Sequence, residues 1–336
     1  MRYRMLGEEL NVSAVGLGCM GMSHAYGAPA DEGEMTDLIA KAVDAGYTLF
    51  DTAESYGTKE NPHANEVLVG RALKPYRHQV VIATKFGISF GNAGAAAPHT
   101  LIPDSRPETI RRAVDGSLER LGTDYIDLYY QHRQDPDIPV EEVAGVMADL
   151  ICEGKIRHWG LSAVNEDIIR RADKVCHVTA VQNRYSMMYR DTEQLFPVLE
   201  ELHIGLVPFS PMANGFLTGK YAKVHQFGPG DYRAFMPQFT AESEVENRRL
   251  LQYLQDTAAA KGMTDAQLSL AWMICKKPYI VPIPGSTKLA RILENGGAAD
   301  VLLTPEEVDA IDKALDAMPM SAVFGGSPVR KTEKGY

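Results

Sequence analysis

Polar residues able to do chemistry close several short apolar runs of this chain: Asp51 after YTLF, Lys85 after VVIAT, His132 after IDLYYQ, Ser162 after HWGL and Gln182 after VTAV. Singly, each has a plain structural explanation: a turn-forming acid, a solvated lysine, a hydrogen-bonded core histidine. Together they ask for a shared cause, because enzymes that draw their groups from the ends of several parallel strands show this distribution. Tyr56 follows shortly after Asp51 in DTAESYG, close enough to fold back over the same end. A phenol of pKa about 10 donates a proton slowly near neutrality. A nearby Lys85 ammonium lowers that pKa, Asp51 keeps the lysine charged and placed, and His132 donates a hydrogen bond to an oxygen gaining negative charge. That combination suits a carbonyl that receives hydride and then needs a proton.

Such residues need a scaffold that turns strand ends toward one mouth. Strand-like runs recur at AVGLG, YTLFD, VVIATK, YIDLYYQH, HWGLS, VTAVQN, IGLVPFS and YIVPIPG, each followed by a stretch of helical periodicity. Eight alternations predict an α/β fold of the (β/α)8 barrel type, a TIM barrel. RYRMLGEELNVSAV predicts an N-terminal hairpin capping the barrel, and TPEEVDAIDKALDAM an extra C-terminal helix. Ser105, Pro107 and Glu108 predict a helix start with Ser105 as its cap, while Gly122 and Gly154 end their helices. Residues 86–105 and 211–243 are long for barrel connections; both follow strands, so they are candidate covers of the mouth. With no interdomain linker visible, residues 1–336 read as one domain, with 325–336 as a flexible tail.

Gly16, Gly18 and Gly21 match GxGxxG after the first run. A dinucleotide site of the doubly wound kind needs a helix opening on the third glycine and an acid about 20 residues on. Here a turn-like stretch with Gly27 and Pro29 follows, and Asp51 comes too late. The glycines read as a tight first barrel turn, either structural or shaped for close ligand approach.

Composition narrows the partners. Of 336 residues, 45% are hydrophobic and 23% charged, enough for a sizeable core, and the formal charge of −10 argues against nucleic acid. No apolar run approaches the roughly 18 residues of a membrane span, and MRYRMLGEEL has no apolar leader core. Cys19, Cys152, Cys176 and Cys275 show no metal or CxxC spacing and read as reduced, mostly buried thiols. The expectation is a cytoplasmic protein with no bound metal.

The strings LFDTAESYG, ATKFG, YYQHRQDP, GLS, VQNRYS, PFSPMANGFLTGKY and IPGSTKLARILEN, in that order from about Gly7 to Asn295, closely resemble the aldo-keto reductase superfamily. The resemblance implies NADPH-dependent reduction of a small aldehyde or ketone, with Asp51, Tyr56, Lys85 and His132 as catalytic tetrad. It implies that Ser162 and Gln182 hold the nicotinamide carboxamide and that Phe209 stacks on the nicotinamide. Ser210, Pro211, Met212, Asn214 and Lys220 match the segment beside the pyrophosphate; Gly285, Ser286, Thr287, Lys288, Arg291, Glu294 and Asn295 match the adenosine end. Lys288 and Arg291 share a face if both lie on the helix opening there; Glu294, three residues past Arg291, is a competing partner for it, but the family pattern gives that acid to the adenine and leaves Arg291 free for a 2′-phosphate. Many relatives carry asparagine where Ala163 stands, so either Asn165 replaces that contact or it is absent. An apolar substrate pocket is expected from Met20, Met22, Tyr26, Phe86, Phe90, Phe216 and Tyr232. Two other functions compete: an NADP-binding, redox-sensing regulatory subunit, as the superfamily's channel-associated members are, and a metal-dependent barrel hydrolase using Asp51 and His132. Oligomeric state and natural substrate are not legible.

Overall fold

The computed structural model describes residues 1–90, 100–221, 226–327 and 329. The chain opens with an antiparallel hairpin, β1 (Tyr3–Leu6) and β2 (Leu10–Ser13), turning at Gly7 with φ +61°. Then follow β3 (Leu17–Gly18), α1 (Glu32–Asp44), β4 (Leu49–Asp51), α2 (Ala64–Leu73), β5 (Val81–Phe86), a small antiparallel pair β6 (Ile88–Phe90) and β7 (Leu101–Pro103), and α3 (Pro107–Leu121). The rest is β8 (Ile126–Gln131), α4 (Val140–Cys152), β9 (Ile156–Ser162), α5 (Glu166–Asp173), β10 (Ala180–Gln182), α6 (Phe196–Glu201), β11 (Gly205–Leu206), α7 (Ala241–Ala260), α8 (Asp265–Lys276), α9 (Leu289–Gly297) and α10 (Pro305–Asp316).

Seven strands pair in parallel in the order β11-β10-β9-β8-β5-β4-β3. The eighth run, residues 279–285, closes the (β/α)8 barrel without forming a regular ladder. Val281 and Ile283 donate to Leu206 and Pro208 on one side at 2.9 and 3.1 Å, and Gly16 and Gly18 donate to Pro282 and Pro284 on the other at 2.9 and 3.3 Å. Pro282 and Pro284 have no N–H to return, so the seam toward β3 keeps only half its bonds. The glycines of the GxGxxG string belong to this seam: a Cβ on Gly18 would stand 2.8 Å from the Ile283 carbonyl oxygen. After them comes a short 3-10 turn, Met20–Met22, rather than a phosphate-binding helix.

Inside the barrel, Leu49, Ala83, Leu128, Tyr130, Ala180, Val207, Val281 and Ile283 pack on Leu6, Leu10 and Val12, so the hairpin plugs the end where the strands begin. A larger apolar shell joins the outer strand faces to the helices. Several local expectations need correction. Ser105 does not cap α3: its buried hydroxyl accepts from Gln131 at 2.8 Å, and Arg106 takes the N-cap position without a side-chain cap. Gly122 and Gly154 do hold the left-handed conformation, and α10 carries a capping box between Thr304 and Glu307. Of the cysteines only Cys19 is buried, and Cys152 is exposed. In the loop 86–105, β6 and β7 pair, while 91–99 lie outside the described residues, as do 222–225 of the second loop and 328 and 330–336 of the tail. In the described part of the tail, Val329 bridges Leu101. No described helix is long and apolar enough to cross a membrane.

Candidate active site

Successive residues of a strand point to opposite faces, so a residue two positions beyond an inward one also points inward. Leu49 leads in this way to Asp51, Ala83 to Lys85, Tyr130 to His132, Ala180 to Gln182 and Val207 to Phe209. Register aligns them: Asp51 pairs with Ala83, Lys85 with Tyr130, and Gln182 with Ser162. The apolar layer of the interior is thus followed, at the strand ends, by a polar layer.

Lys85 is fully buried and donates to Asp51 Oδ1 at 2.5 Å and to the Thr52 carbonyl at 2.8 Å. An ammonium has three hydrogens, and the third is left on the side of Tyr56, whose ring centre lies 5.0 Å from Nζ. The His132 ring meets Tyr56 edge-on at 5.6 Å, and His24 stacks near it at 5.8 Å. The Tyr56 loop is braced from beneath by Asn65 of α2, which accepts from Thr52 Oγ1 and donates to the Cys19 carbonyl and Ser23 Oγ; Ser23 Oγ in turn donates to the Tyr56 carbonyl.

The electrostatics follow from burial against pairing. Burial pushes the Asp51 carboxyl up, with Lys85 and Gln182 pulling against it. Burial works to lower the Lys85 ammonium, but Asp51 and Tyr56 outweigh it, so the lysine holds its proton more tightly than in water. The Tyr56 phenol sits above its ordinary value: burial raises it more than Lys85 lowers it, so the expected depression is an opposing pull and not the net outcome. Burial, then Arg133, Lys85 and His24, drive His132 well below its ordinary range, which leaves it neutral at pH 7. Its Nδ1 is sealed without a partner among the described residues, which leaves Nε2 as the ring atom toward the cavity. An orphaned acceptor costs less than an orphaned donor, which favours the proton on Nε2 as a hydrogen-bond donor.

Of the residues assigned to the tetrad and to the cofactor, all but Lys85 line one cavity of about 2070 Å³, and Lys85 lies just behind Asp51 and Tyr56. Several polar side chains at the site are already engaged, and Lys288 stands apart from the helix face expected of it. Gln182 Nε2 donates to Asp51 Oδ2 at 2.7 Å, which leaves its second N–H and its amide oxygen for other partners. Asn214 donates to the hydroxyls of Tyr26 and Tyr232 at 3.0 and 3.4 Å, tying two walls together. Lys288 is the N-cap of α9, outside the helix, and so shares no helical face with Arg291. Arg291 is not free, because Nη1 pairs with Glu294 Oε2 at 2.5 Å. Asn165 caps α5 by accepting from Ile168 N and is not among the residues that line the cavity. Ala163 itself holds φ +57°, a conformation asparagine tolerates better. Ser210, Ala213 and Asn214 also hold positive φ, which turns this segment along the cavity wall. Of the expected apolar pocket, Met20, Tyr26, Phe90 and Tyr232 line the cavity, whereas Met22, Phe86 and Phe216 belong to the core.

A strand-end acid, a buried lysine, a loop tyrosine and a neutral histidine at the mouth of one barrel narrow the comparison, and a family model decides it: the model described as the aldo/keto reductase family matches residues 14–316. The chain belongs to the aldo/keto reductase family. It is 40% identical over 321 residues to a probable aldo-keto reductase 1 from Glycine max, covering 95% of this chain and 89% of that one. Among solved structures, it is similar to the glycerol dehydrogenase of Gluconobacter oxydans, with TM-score 0.83, 26% identity and 94% and 95% of the two chains covered. It is also similar to an aldo/keto reductase from Klebsiella pneumoniae in complex with NADP and acetate, with TM-score 0.71, 26% identity and 94% and 96% covered. In this aldo/keto reductase several residues around the site escaped the sequence reading. Arg133 was legible only as the neighbour of His132 and Arg184 only as the residue two positions past Gln182; His24 and Asn65 stand at no strand end, and no local signal marks them.

Proposed function

We propose that this aldo/keto reductase reduces the carbonyl of a small aldehyde or ketone with NADPH, with Tyr56 as the proton donor. The observation that carries the reading is Lys85, buried between Asp51 Oδ1 and the Tyr56 ring, with neutral His132 edge-on to that ring at the cavity mouth. The chain's residues fit the cofactor. The cavity is about twice the roughly 1,000 Å³ upper end for one ligand. At its far part Lys288 leaves the N-terminus of α9 without a side-chain cap beside Ser286 and Thr287, a setting suited to phosphate. Relatives from Klebsiella pneumoniae were crystallised with NADP and with NADPH. Phe209 offers a ring face, and Ser162 with the Gln182 oxygen offers carboxamide contacts. When bound, the cofactor supplies hydride to the carbonyl carbon.

The residues then act on the oxygen. His132 donates from Nε2 and orients it; Tyr56 transfers its phenolic proton as negative charge develops there. Lys85 stabilises the phenolate left behind, and Asp51 and the Thr52 carbonyl keep the ammonium placed. The test is Tyr56→Phe, which keeps the ring contacts and removes only the proton. Carbonyl reduction followed by NADPH absorbance should fall by about 10²- to 10⁴-fold while NADPH binding, read by fluorescence quenching, persists. Near-wild-type kcat overturns the assignment. Cofactor binding by the wild type with no turnover of any carbonyl supports the regulatory reading instead.

A further inference from the structure

Two arginines stand at the reacting end of the cavity without the partners such groups ordinarily have. Arg133 donates to its neighbour's carbonyl, that of His132, at 2.6 Å and to Ser162 Oγ at 3.2 Å. Arg184 stands just past β10. The two guanidinium carbons lie 5.8 and 5.5 Å from the centre of the same ring, Phe209. Arg184 also lies 5.0 Å from the Tyr189 ring centre, and Gly326 covers it so closely that a Cβ there would stand 3.2 Å from Nη2. Of the four other cavity-lining arginines, three carry a carboxylate each, Arg233 with Asp231, Arg120 with Glu66 and Arg291 with Glu294, while Arg112 is exposed to solvent and donates to Thr109 Oγ1. Arg133 and Arg184 have none among the described residues. Burial lowers both guanidinium pKa values, and Arg184 presses Arg133 lower still. Neither gives up its proton near pH 7, since an arginine starts above 12.

Half-buried cations facing a cavity without counter-charge are costly unless a ligand supplies the anion. The cofactor phosphates are matched to other segments, Ser210–Lys220 and Ser286–Arg291, while Phe209 marks the nicotinamide end where substrate must sit. Resting on the reductase reading, we propose that the carbonyl substrate carries an anionic group, a carboxylate or a phosphate, held by Arg184 with Arg133 beside it. The fork of a guanidinium matches either anion with paired hydrogen bonds, and a neutral isostere of the substrate forfeits the charge-assisted part of both.

The experiment uses the full chain with NADPH and matched aldehydes: 4-carboxybenzaldehyde against its methyl ester, and glyceraldehyde 3-phosphate against glyceraldehyde. The anionic member of at least one pair should be preferred in kcat/KM by about 10- to 100-fold, and which pair shows it separates carboxylate from phosphate. Arg184→Gln should collapse that ratio mainly through KM, Arg184→Lys should restore part of it, and Kd for NADPH should hold. A wild type that reduces the neutral members as well as the anionic ones overturns the proposal while leaving the reductase reading intact. Arg184→Gln weakening NADPH as much as substrate overturns it too, because the arginine then serves the cofactor. No turnover of any aldehyde removes the reductase reading and this proposal with it.

Discussion

Replacing Lys85 and replacing Asp51 should move the alkaline limb of the pH profile in opposite directions. Lys85 Nζ lies 5.0 Å from the centre of the Tyr56 ring, and its pull on the phenol opposes burial and Asp51, which push upward. Unit charges about 5 Å apart at an effective dielectric of about 20 interact by about 3 kcal/mol, roughly two pH units. The phenol faces an open cavity, so screening cuts this to about one unit. Lys85→Met leaves burial and Asp51 unopposed, and the limb rises by about one unit while the neutral-pH rate drops because the acid is weaker. Asp51→Asn removes the partner that most raises the lysine, so the ammonium deprotonates earlier, and it also removes an upward push on the phenol. Both effects lower the limb. Lys85→Met strands a buried carboxyl with Gln182 as its remaining partner and should cost about 3–5 kcal/mol of stability, so urea unfolding and NADPH binding must accompany the kinetics. The assay is kcat/KM from about pH 6 to 10 on both variants and the wild type. Coincident limbs, or limbs that move the same way, refute the coupling of Tyr56 to this pair.

Asn65→Ala removes bonds to Thr52, Cys19 and Ser23 beneath the Tyr56 loop; it should cost about 1–3 kcal/mol in urea unfolding and lower kcat more than NADPH affinity. Burial pushes Glu54 up to about 7, so between the unfolded carboxyl value and pH 7 the folded state binds the extra proton, and stability falls as pH rises through that window. Glu54→Gln keeps an acceptor for Gly87 N and should abolish that fall, seen as equal urea midpoints at about pH 5 and pH 8 where the wild type loses about 1–3 kcal/mol. Lys288→Ala should weaken NADPH more than NADH, by about 1 kcal/mol, in fluorescence titrations; Arg291→Ala should add less, because Arg291 is already paired with Glu294. Equal weakening of both cofactors by Lys288→Ala would show that no 2′-phosphate is read there.

The barrel and the group at its mouth were legible because both rest on local rules. Apolar runs alternating with helical periodicity name the fold, and inward-pointing positions along a strand carry Asp51, Lys85, His132 and Gln182 to one end whatever the loops do. The seam after β11 was legible as an eighth run but not as a ladder with missing bonds, since Pro282 and Pro284 leave the pattern of side chains intact and remove only N–H groups. Partner choice between distant segments was not legible. Whether Gln182 turns to Asp51, whether Asn214 bonds Tyr26, and whether Arg133 and Arg184 find an acid among the described residues depend on side chains brought together from far apart in the chain, whereas the Arg291–Glu294 pair, three residues apart, was legible as an alternative. The same holds for the net direction of the Tyr56 pKa, where burial competes with a lysine from another strand. A sequence states which groups a strand end presents. Which of them are desolvated, and which find a counter-charge, is a property of distances that only the closed barrel sets.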